Sequence, residues 1–207
     1  MANRKLESQR LKYMCQVALF MAIILVMKLA GLGNIPINPL LNVTLMDIPV
    51  AVGAILLGPL AGTILGITFG ASSLIPPISG MILTLQGISW FHTFVMCVGM
   101  RALMGCCCGW IFKGLWKIDK TKTVSFYVSA LSAALLNTIF FMGYLVLVFY
   151  QTDYIQGKVA NLGAFNWLHF VVLFVGLNGL LEAGATLLVG GSVAKGVYAA
   201  LHKKAKE

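Results

Sequence analysis

Two ionisable side chains stand inside long apolar runs of the sequence, where a charge is costly. Arg101 lies within the run 88–112, and Glu182 lies within the run 166–200. Placing such a group in a bilayer costs roughly 2.5–3.5 kcal/mol, so it normally faces the protein interior or a cavity. We expect the two side chains to reach similar depth and to approach each other. They then form either an ion pair that fixes helix register or a contact with a ligand that carries a carboxylate or several hydroxyls.

Uncharged polar side chains occupy the neighbouring apolar runs. Asn137 and Asn178 each bring donors and an acceptor that need partners when they are buried. Each forms either a hydrogen bond between helices or a contact with a ligand. Tyr144 lies on the same run as Asn137 and is counted with both amides among the candidate substrate-binding residues.

Aromatic and imidazole side chains mark the starts of two apolar runs. Trp90 and Trp167 open these runs, and His92 and His169 flank them. The tryptophans are either interfacial anchors or walls of an outward-facing pocket that stack on a flat or aliphatic ligand. Trp90, His92 and Trp167 therefore join the candidate substrate-binding residues. The histidines have no third ligand at a fixed spacing, so we expect no metal site.

Sequence motifs that would carry enzymatic chemistry are absent. The sequence contains no phosphate loop of the form G-x-x-x-x-G-K-[ST], no H-E-x-x-H and no G-x-S-x-G. Successive side chains at Cys106, Cys107 and Cys108 would point about 100° apart on a helix, which favours packing, with palmitoylation as the alternative. We expect neither catalysis nor a bound cofactor.

The composition indicates which elements position these groups. Of the 207 residues, 59 % are hydrophobic and 10 % are charged, whereas a soluble domain has about 25 % charged residues. Twelve of the fifteen basic residues fall in three clusters, within 4–12, 113–122 and 195–206. This pattern is typical of the cytoplasmic segments of a multi-pass membrane protein. No basic face carries interleaved exposed aromatics, so we expect no nucleic-acid partner.

Hydropathy and helix-breaking residues predict six membrane-spanning helices in one domain, residues 1–207. The predicted helices cover residues 13–30, 47–57, 59–75, 88–112, 124–149 and 166–200. An even number of crossings places both termini on one side, and all three basic clusters then lie in the cytoplasm. The predicted fold is an all-α, six-helix bundle in the cell membrane, with the connections 31–46, 75–88 and 150–165 outside.

The connection between the first two predicted helices, residues 31–46, is broken by glycine and proline yet carries no charge. We expect it to fold back over the bundle as a cap. Its asparagines Asn34, Asn38 and Asn42 either form local turns or offer amide groups to a ligand beneath. Asp47 follows at the head of the second predicted helix and is a further candidate substrate-binding residue.

Four glycines, Gly58, Gly62, Gly66 and Gly70, recur at every fourth position and fall close to one stripe of a helix. In a membrane such a stripe lets a neighbouring backbone approach closely. It indicates either tight helix packing or helices that slide or part during transport.

Ala18 and Ala22 form a second small-residue stripe, which serves either internal packing or the docking of another membrane subunit. Together with four further segments, in this order along the chain, the stripe resembles the substrate-binding S components of energy-coupling factor (ECF) vitamin transporters. The further segments are Val43–Gly62, Phe69–Leu74, Asn137–Thr138 and Asn178–Glu182. The resemblance covers most of the chain.

The resemblance implies a high-affinity binder of a water-soluble vitamin, held near the outer surface by the last three predicted helices and the cap. It implies a transmembrane coupling protein and two cytoplasmic ATPases as partners, with the alanine stripe as the docking face. It also implies a subunit that topples in the membrane to deliver its ligand.

The motifs on the last two predicted helices resemble family members that handle pantothenate or cobalamin, although Asp47 stands where such relatives often carry histidine. Pantothenate is our prediction, and Arg101 would receive its carboxylate. Cobalamin and riboflavin are the alternative vitamins. Two other classes of function compete: a ligandless assembly subunit, and an intramembrane enzyme with Glu182 or His169 as its acid–base group.

Overall fold

The computed structural model describes the backbone of residues 2–31, 34–38, 41–76 and 78–203, and the side chains of residues 6–31, 44–76, 78–176 and 178–201. Within these residues the fold is predominantly helical. The α-helices are α1 (Ala2–Leu29), α2 (Asp47–Leu57), α3 (Pro59–Ser72), α4 (Gly80–Ile88), α5 (Trp90–Phe94), α6 (Met100–Ile118), α7 (Val124–Phe149), α8 (Asp153–Asn161), α9 (Trp167–Ala185) and α10 (Gly191–Lys203). Two π-helical segments, Val95–Gly99 and Thr186–Gly190, join α5 to α6 and α9 to α10.

Four helical stretches in the described residues are long and apolar enough to cross a membrane. They are Leu6–Leu29, Trp90–Ile118, Val124–Phe149 and Asn178–Leu201. The helices α2 and α3 are apolar but have only 11 and 14 residues, so they extend about 16 and 21 Å against a hydrocarbon core of about 30 Å. The predicted class, a helical multi-pass bundle, agrees with these stretches, and the count of six crossings stays a prediction.

The predicted outer connections 75–88 and 150–165 are wrong in one respect, because each contains a short helix. In each helix two apolar side chains lie three or four positions apart and are buried, namely Ile82 and Leu85 in α4, and Ile155 and Val159 in α8. Tertiary packing of such a pair stabilises a helix that is too short to be stable alone. Proline, glycine and polar residues around these pairs favour a loop, and this local signal concealed both helices.

Helix ends also differ from the prediction at the basic clusters. The helix α1 begins at Ala2 rather than at residue 13, and α6 continues to Ile118 through most of the predicted connection 113–122. Lysine and arginine are good helix formers, so a basic segment next to an apolar run extends the helix instead of ending it.

The last predicted helix, residues 166–200, is interrupted. Gly176 has φ 36° and ψ −129°, which is not helical, so the chain changes direction within α9. This positive φ favours glycine, because a Cβ atom would strain the backbone there.

The connection after α1 is more regular than predicted. Two antiparallel strands, β1 (Asn34–Asn38) and β2 (Leu41–Thr44), form a hairpin whose register pairs Asn34 with Thr44 and shifts between Pro36 and Asn38. A two-stranded hairpin has only edge strands, which tolerate a proline. The glycine and proline content of this segment therefore excluded a helix without excluding strands.

The helices α3 and α6 pack backbone against backbone along the glycine stripe. A methyl group added at Gly62 would collide with the carbonyl group of Gly105. One added at Gly66 would collide with the carbonyl group of Arg101, and Gly70 is packed in the same way. The stripe thus serves tight packing, the first of its two expected roles.

Buried apolar side chains form two clusters. The first includes Ile24, Val50, Leu65 and Phe69, and joins α1, α2, α3, α6, α7 and α10. The second includes Phe149 and joins α4, α7, α8 and α9. The polar groups that the sequence singled out lie around the first cluster and at its border with the second.

Candidate functional site

Arg101 lies at the border of the two apolar clusters. Its guanidinium carbon is 4.2 Å from the ring centroid of Phe69, in the first cluster, and 5.1 Å from that of Phe141, which packs against the second. Its Nη1 donates to the carbonyl oxygen of Cys97, in the π-helical segment one turn earlier, at 3.2 Å. The side chain is 8 % exposed. The two rings hold the planar cation where water cannot screen it, which strengthens its attraction for a nearby anion.

Asp47 and Asn137 form a buried polar pair. Asp47 is the first residue of α2 and is fully buried. Its Oδ2 accepts a hydrogen bond from Nδ2 of Asn137 on α7 at 3.2 Å. One of the two expected roles of Asn137, a hydrogen bond between helices, is therefore present. The carboxylate also lies at the start of a helix, where the backbone dipole favours a negative charge.

Glu182 contacts the hairpin. Its Oε1 accepts a hydrogen bond from the backbone N–H of Thr44, the last residue of β2, at 2.7 Å. Asp47 and Glu182 both lie within electrostatic reach of Arg101. Among the described side chains, however, no hydrogen bond or ion pair joins Arg101 to Glu182. The ion pair that was one expected role of the two side chains is therefore not present among the described contacts.

Three buried polar atoms of this cluster have no hydrogen-bond partner among the described residues: Oδ1 of Asp47, Oδ1 of Asn137 and Nε of Arg101. Most buried polar atoms in proteins are paired, and an unpaired one costs about 1–3 kcal/mol. These two acceptors and one donor can therefore hydrogen-bond to water molecules or to a ligand that offers both donors and acceptors. We call Asp47, Arg101, Asn137 and Glu182 the central polar cluster.

A small cavity lies beside Arg101, between the end of α1, β2, α3 and the segment that precedes α4. Its volume is about 40 Å³, and its lining is formed by Lys28, Thr44, Met46, Phe69, Ser73, Ser79, Ile82 and Arg101. Pockets that enclose drug-sized ligands measure about 300–1,000 Å³. The cavity therefore accommodates a chemical group, and the elements around it must part to admit a whole small molecule.

His92 and Tyr144 form a separate polar contact. Nδ1 of His92 lies 3.0 Å from the hydroxyl oxygen of Tyr144, which joins α5 to α7. The His92 ring also packs edge-on against Phe149. His92 lies nine positions before Arg101 in the helical stretch Trp90–Ile118, which corresponds to about 14 Å along its axis. The structure thus brings two predicted site residues together at some distance from the central polar cluster.

The remaining predicted site residues are more dispersed. Trp90 is the first residue of α5 and Trp167 the first of α9, and they are 62 % and 53 % exposed. Trp90 stacks on Phe94 with 5.5 Å between ring centroids and is not part of the lining of the cavity beside Arg101. Asn178 is half-buried on α9. The side chains of the three predicted hairpin asparagines lie outside the described residues; they are Asn34, Asn38 and Asn42.

Sequence analysis missed several residues that line the cavity. Lys28 gave a usable signal, since it is a single charge at the end of an apolar run. Ser73 and Ser79 gave none, because serines next to prolines and glycines indicate a turn in almost any protein. These residues come together only because the turn after α3 packs against the end of α1.

Metal binding finds no support in the described side chains, where no group of three or more histidine, cysteine or acidic residues could hold an ion. The cysteines are unpaired. Cys108 is buried, and its thiol donates to the carbonyl oxygen of Ser129 at 3.3 Å, which is a packing contact between α6 and α7.

Ala18 and Ala22 lie on the exposed side of α1. Within Leu6–Leu29, only 11 % of the apolar 18-residue segment is buried against the described residues. Val17 and Ile24, by contrast, are buried against the bundle. Among the described residues, none buries Ala18 or Ala22, and the choice between internal packing and docking stays a prediction.

A family model described as the substrate-specific component of ECF transporters matches residues 12–190. This stretch includes the central polar cluster, the hairpin, the cavity lining and the alanine stripe. No curated protein matches the chain at a significant level.

Proposed function

The chain belongs to the substrate-specific components of ECF transporters, and on this premise we propose that it captures a water-soluble vitamin, pantothenate foremost, for uptake into the cell. Members of this family are binding subunits of a transporter rather than enzymes. They associate with a module that contains ABC ATPases and a transmembrane coupling component. The chain is accordingly a multi-pass protein of the cell membrane.

The central polar cluster is the observation that carries the proposal. Charged and amide side chains lie within an apolar bundle, and three of their atoms have no partner among the described residues. A bundle that binds nothing gains no stability from such groups, because each buried unpaired atom costs free energy. A polar ligand that enters between the helices would supply the missing partners.

The chemistry of pantothenate fits these partners. Its carboxylate would accept from Arg101, and its hydroxyl and amide groups would donate to the free oxygens of Asp47 and Asn137. We place the outer part of the ligand toward His92 and Tyr144. The other predicted contacts, to Asn34, Asn38, Asn42, Trp90, Trp167, Asn178 and Glu182, belong to the same proposal.

The hairpin β1–β2 is proposed as the cap over this site. Its described polar contact with the helices is the hydrogen bond from Thr44 to Glu182. Thr44 also lines the cavity. A hairpin joined to the bundle in this way can move without unfolding a helix, and its movement would enlarge the 40 Å³ cavity.

We propose six crossings with both termini in the cytoplasm. Trp116 near the end of α6 packs against Tyr198 of α10 at 5.1 Å between ring centroids, so the basic segments 113–122 and 195–206 share one end of the bundle. Gly58, where φ is 96° between α2 and α3, lies beside Lys113 at that same end. The positive-inside tendency assigns this end to the cytoplasm. The hairpin and cavity then face outward.

The exposed side of α1 is proposed as the docking face for the coupling protein. Small residues allow close helix contact in a membrane, and Ala18 and Ala22 are exposed with respect to the part of the chain that the structure describes. We expect Ala18→Trp to abolish uptake in cells that contain the coupling protein and both ATPases, while vitamin binding by the purified chain is unchanged. Uptake at the wild-type level would remove this role from α1.

Vitamin binding is tested by a thermal-unfolding screen of the purified chain against the water-soluble vitamins. A ligand at one hundred times its dissociation constant stabilises the fold by about 2.7 kcal/mol. We expect pantothenate to raise the melting temperature, and the Arg101→Gln variant to lose most of this shift. A flat response to every vitamin would favour a ligandless assembly subunit instead.

Cobalamin and riboflavin are the alternative ligands. Both are neutral or nearly so over most of their surface, and cobalamin is far larger than the present cavity. A response to either one without a response to pantothenate would keep the family role and change the substrate. The described contacts of Glu182 and His169 do not support an intramembrane enzyme. Glu182 accepts a hydrogen bond from the backbone N–H of Thr44, and the His169 ring accepts one from the backbone N–H of Phe165.

A further inference from the structure

One exposed face of α6 changes from apolar to basic within a single helical turn. Leu103 and Trp110 lie seven positions apart on this face and are 50 % and 63 % exposed. Lys113 and Lys117 continue the same face toward the end of the helix, and both are exposed. In a membrane, the apolar part of such a face contacts acyl chains, and the tryptophan and lysines that follow lie at the level of the lipid headgroups.

Lys113 is held at this boundary by contacts on two sides. Its ammonium nitrogen lies 5.2 Å from the ring centroid of Trp110, which is a cation–π contact. The side chain also lies against the turn between α2 and α3, because a methyl group added at Gly58 would be 3.7 Å from its Cε. The backbone of Gly109 packs closely on Pro59 and fixes this turn to α6. The positive charge therefore has a defined place beside the lipid-facing surface.

The described residues offer no counter-ion to this pair of lysines. Asp119 lies just after α6, but its carboxylate accepts hydrogen bonds from Thr121 and Ser125. No described acidic side chain is paired with Lys113 or Lys117. Two neighbouring cations without a counter-ion create a positive potential that attracts an external anion.

The combination of the apolar and basic parts indicates which anion. A soluble protein or a free phosphate ion would contact the lysines but not the exposed side chains of Leu103 and Trp110. An anionic phospholipid carries acyl chains and a phosphate in the order in which the face presents its apolar and basic residues. Lysine binds phosphate as a point charge, and basic residues at the membrane surface attract anionic lipids.

We propose that this face of α6 is a binding site for an anionic phospholipid, in which Lys113 and Lys117 bind the phosphate and Leu103 and Trp110 contact the lipid below it. We call these four residues the α6 lipid site. Lys113 lies twelve positions beyond Arg101 on α6, which is about 18 Å, so the site is separate from the central polar cluster. The proposal goes beyond the function proposed above and does not depend on which vitamin binds.

Quenching of tryptophan fluorescence by brominated lipids tests the proposal with the purified full chain. The chain in neutral detergent is titrated with phosphatidylglycerol or with phosphatidylcholine, each brominated on its acyl chains. We expect half-maximal quenching at an at least about fivefold lower mole fraction of phosphatidylglycerol, the factor that about 1 kcal/mol per basic side chain gives. The preference should shrink at about 1 M salt, because exposed charges are then screened.

Variants assign the preference to the α6 lipid site. Lys113→Gln should lower it about fivefold, whereas Lys113→Arg keeps the charge and should preserve it. Trp110→Phe should remove the part of the quenching that differs between the two lipids. Lys158→Gln is the matched control, because Lys158 is also exposed and lies 5.7 Å from the ring centroid of Tyr154, but at the other end of the bundle. The control should leave the preference unchanged.

Three results would overturn the inference. Equal quenching by the two lipids would mean that the face does not select an anionic headgroup. An equal loss of preference in Lys113→Gln and Lys158→Gln would reduce the effect to net charge. If the lipids quench equally but Lys113→Gln lowers uptake in cells that contain the coupling protein and both ATPases, the lysines contact those partners instead of lipid. Vitamin binding is measured separately, so its presence or absence leaves each of these results interpretable.

Discussion

Gly66→Ala is a sharp test of how α3 and α6 are held together. The added methyl group would collide with the carbonyl oxygen of Arg101 and would lie 2.9 Å from Cα of Ala102. Both atoms belong to helical backbone, so no side chain can rotate away and the two helices must separate. Overpacking costs about 1–3 kcal/mol, and a collision with helical backbone lies at the upper end, about 3 kcal/mol, while alanine returns about 1 kcal/mol of helix propensity. We expect a net loss of about 2 kcal/mol in the free energy of unfolding.

The assay is thermal unfolding in detergent, followed by tryptophan fluorescence. For a chain of this length, 2 kcal/mol corresponds to a fall of about 4–8 °C in melting temperature. Gly143→Ala on α7 is the matched control, because an added methyl group there meets nothing within 4 Å. The control should be neutral, or more stable by up to about 1 kcal/mol.

Ligand affinity gives a second measurement on the same variant. The collision moves the backbone of Arg101, so Gly66→Ala should also weaken binding of the vitamin, whereas Gly143→Ala should not. The reasoning is refuted if Gly66→Ala unfolds at the wild-type temperature, since the close backbone contact would then be absent.

Three further perturbations test the polar groups. Asn137→Ala leaves buried Asp47 without the hydrogen bond that it receives, and it should cost about 1–3 kcal/mol of stability. Asp47→Asn in the Asn137→Ala background should recover part of this loss. Additive losses in a double-mutant cycle would contradict the pairing. Glu182→Leu should increase hydrogen exchange at Thr44, whereas Glu182→Gln keeps an acceptor and should preserve protection; equal exchange in both variants would count against the contact. Asp119 accepts from the hydroxyl of Thr121 and from the backbone and hydroxyl of Ser125, which holds its pKa below its ordinary value of 3.8. The contribution of the Asp119 carboxylate to stability is complete above the ordinary pKa and is lost as pH falls through the lowered pKa. The difference in melting temperature between wild type and Asp119→Ala should therefore be constant above about pH 5 and shrink in more acid buffer. A difference that stays constant at every pH would contradict a stabilising role of these hydrogen bonds.

The long apolar helices were predictable because a bilayer imposes a minimum length and excludes charge. Hydropathy placed the stretch Val124–Phe149 correctly at both ends, and it placed Trp90–Ile118 correctly apart from its ends. The glycine stripe was readable for a similar reason, since four glycines at one spacing have few roles in a membrane helix.

The short elements were not predictable, because their stability is tertiary. The helix α4 depends on the burial of Ile82 and Leu85. The local sequence, which contains prolines and glycines, does not predict that burial. The helix break at Gly176 was likewise not predictable, because a single glycine within an apolar run does not indicate whether the helix continues or breaks.

The members of the central polar cluster could each be identified from the sequence as candidate site residues. Asp47, Arg101, Asn137 and Glu182 are each unusual in their apolar surroundings, and such residues must find partners wherever the chain folds. Their actual partners were not readable, since Glu182 contacts a backbone N–H of the hairpin instead of Arg101. The cavity serines Ser73 and Ser79 lie at helix ends, where polar residues are ordinary and carry little information.

The close contact between Gly66 and the backbone of Arg101 bears on how relatives of this chain diverge. The contact fixes the position of Arg101 relative to α3, so a change in nutrient preference cannot come from shifting these two helices without large losses in packing. The end of α1 carries no such restriction at Gly31, where an added methyl group meets nothing within 4 Å. A descendant that takes up a different nutrient is therefore expected to differ near the end of α1 first, while the glycines of α3 stay as they are.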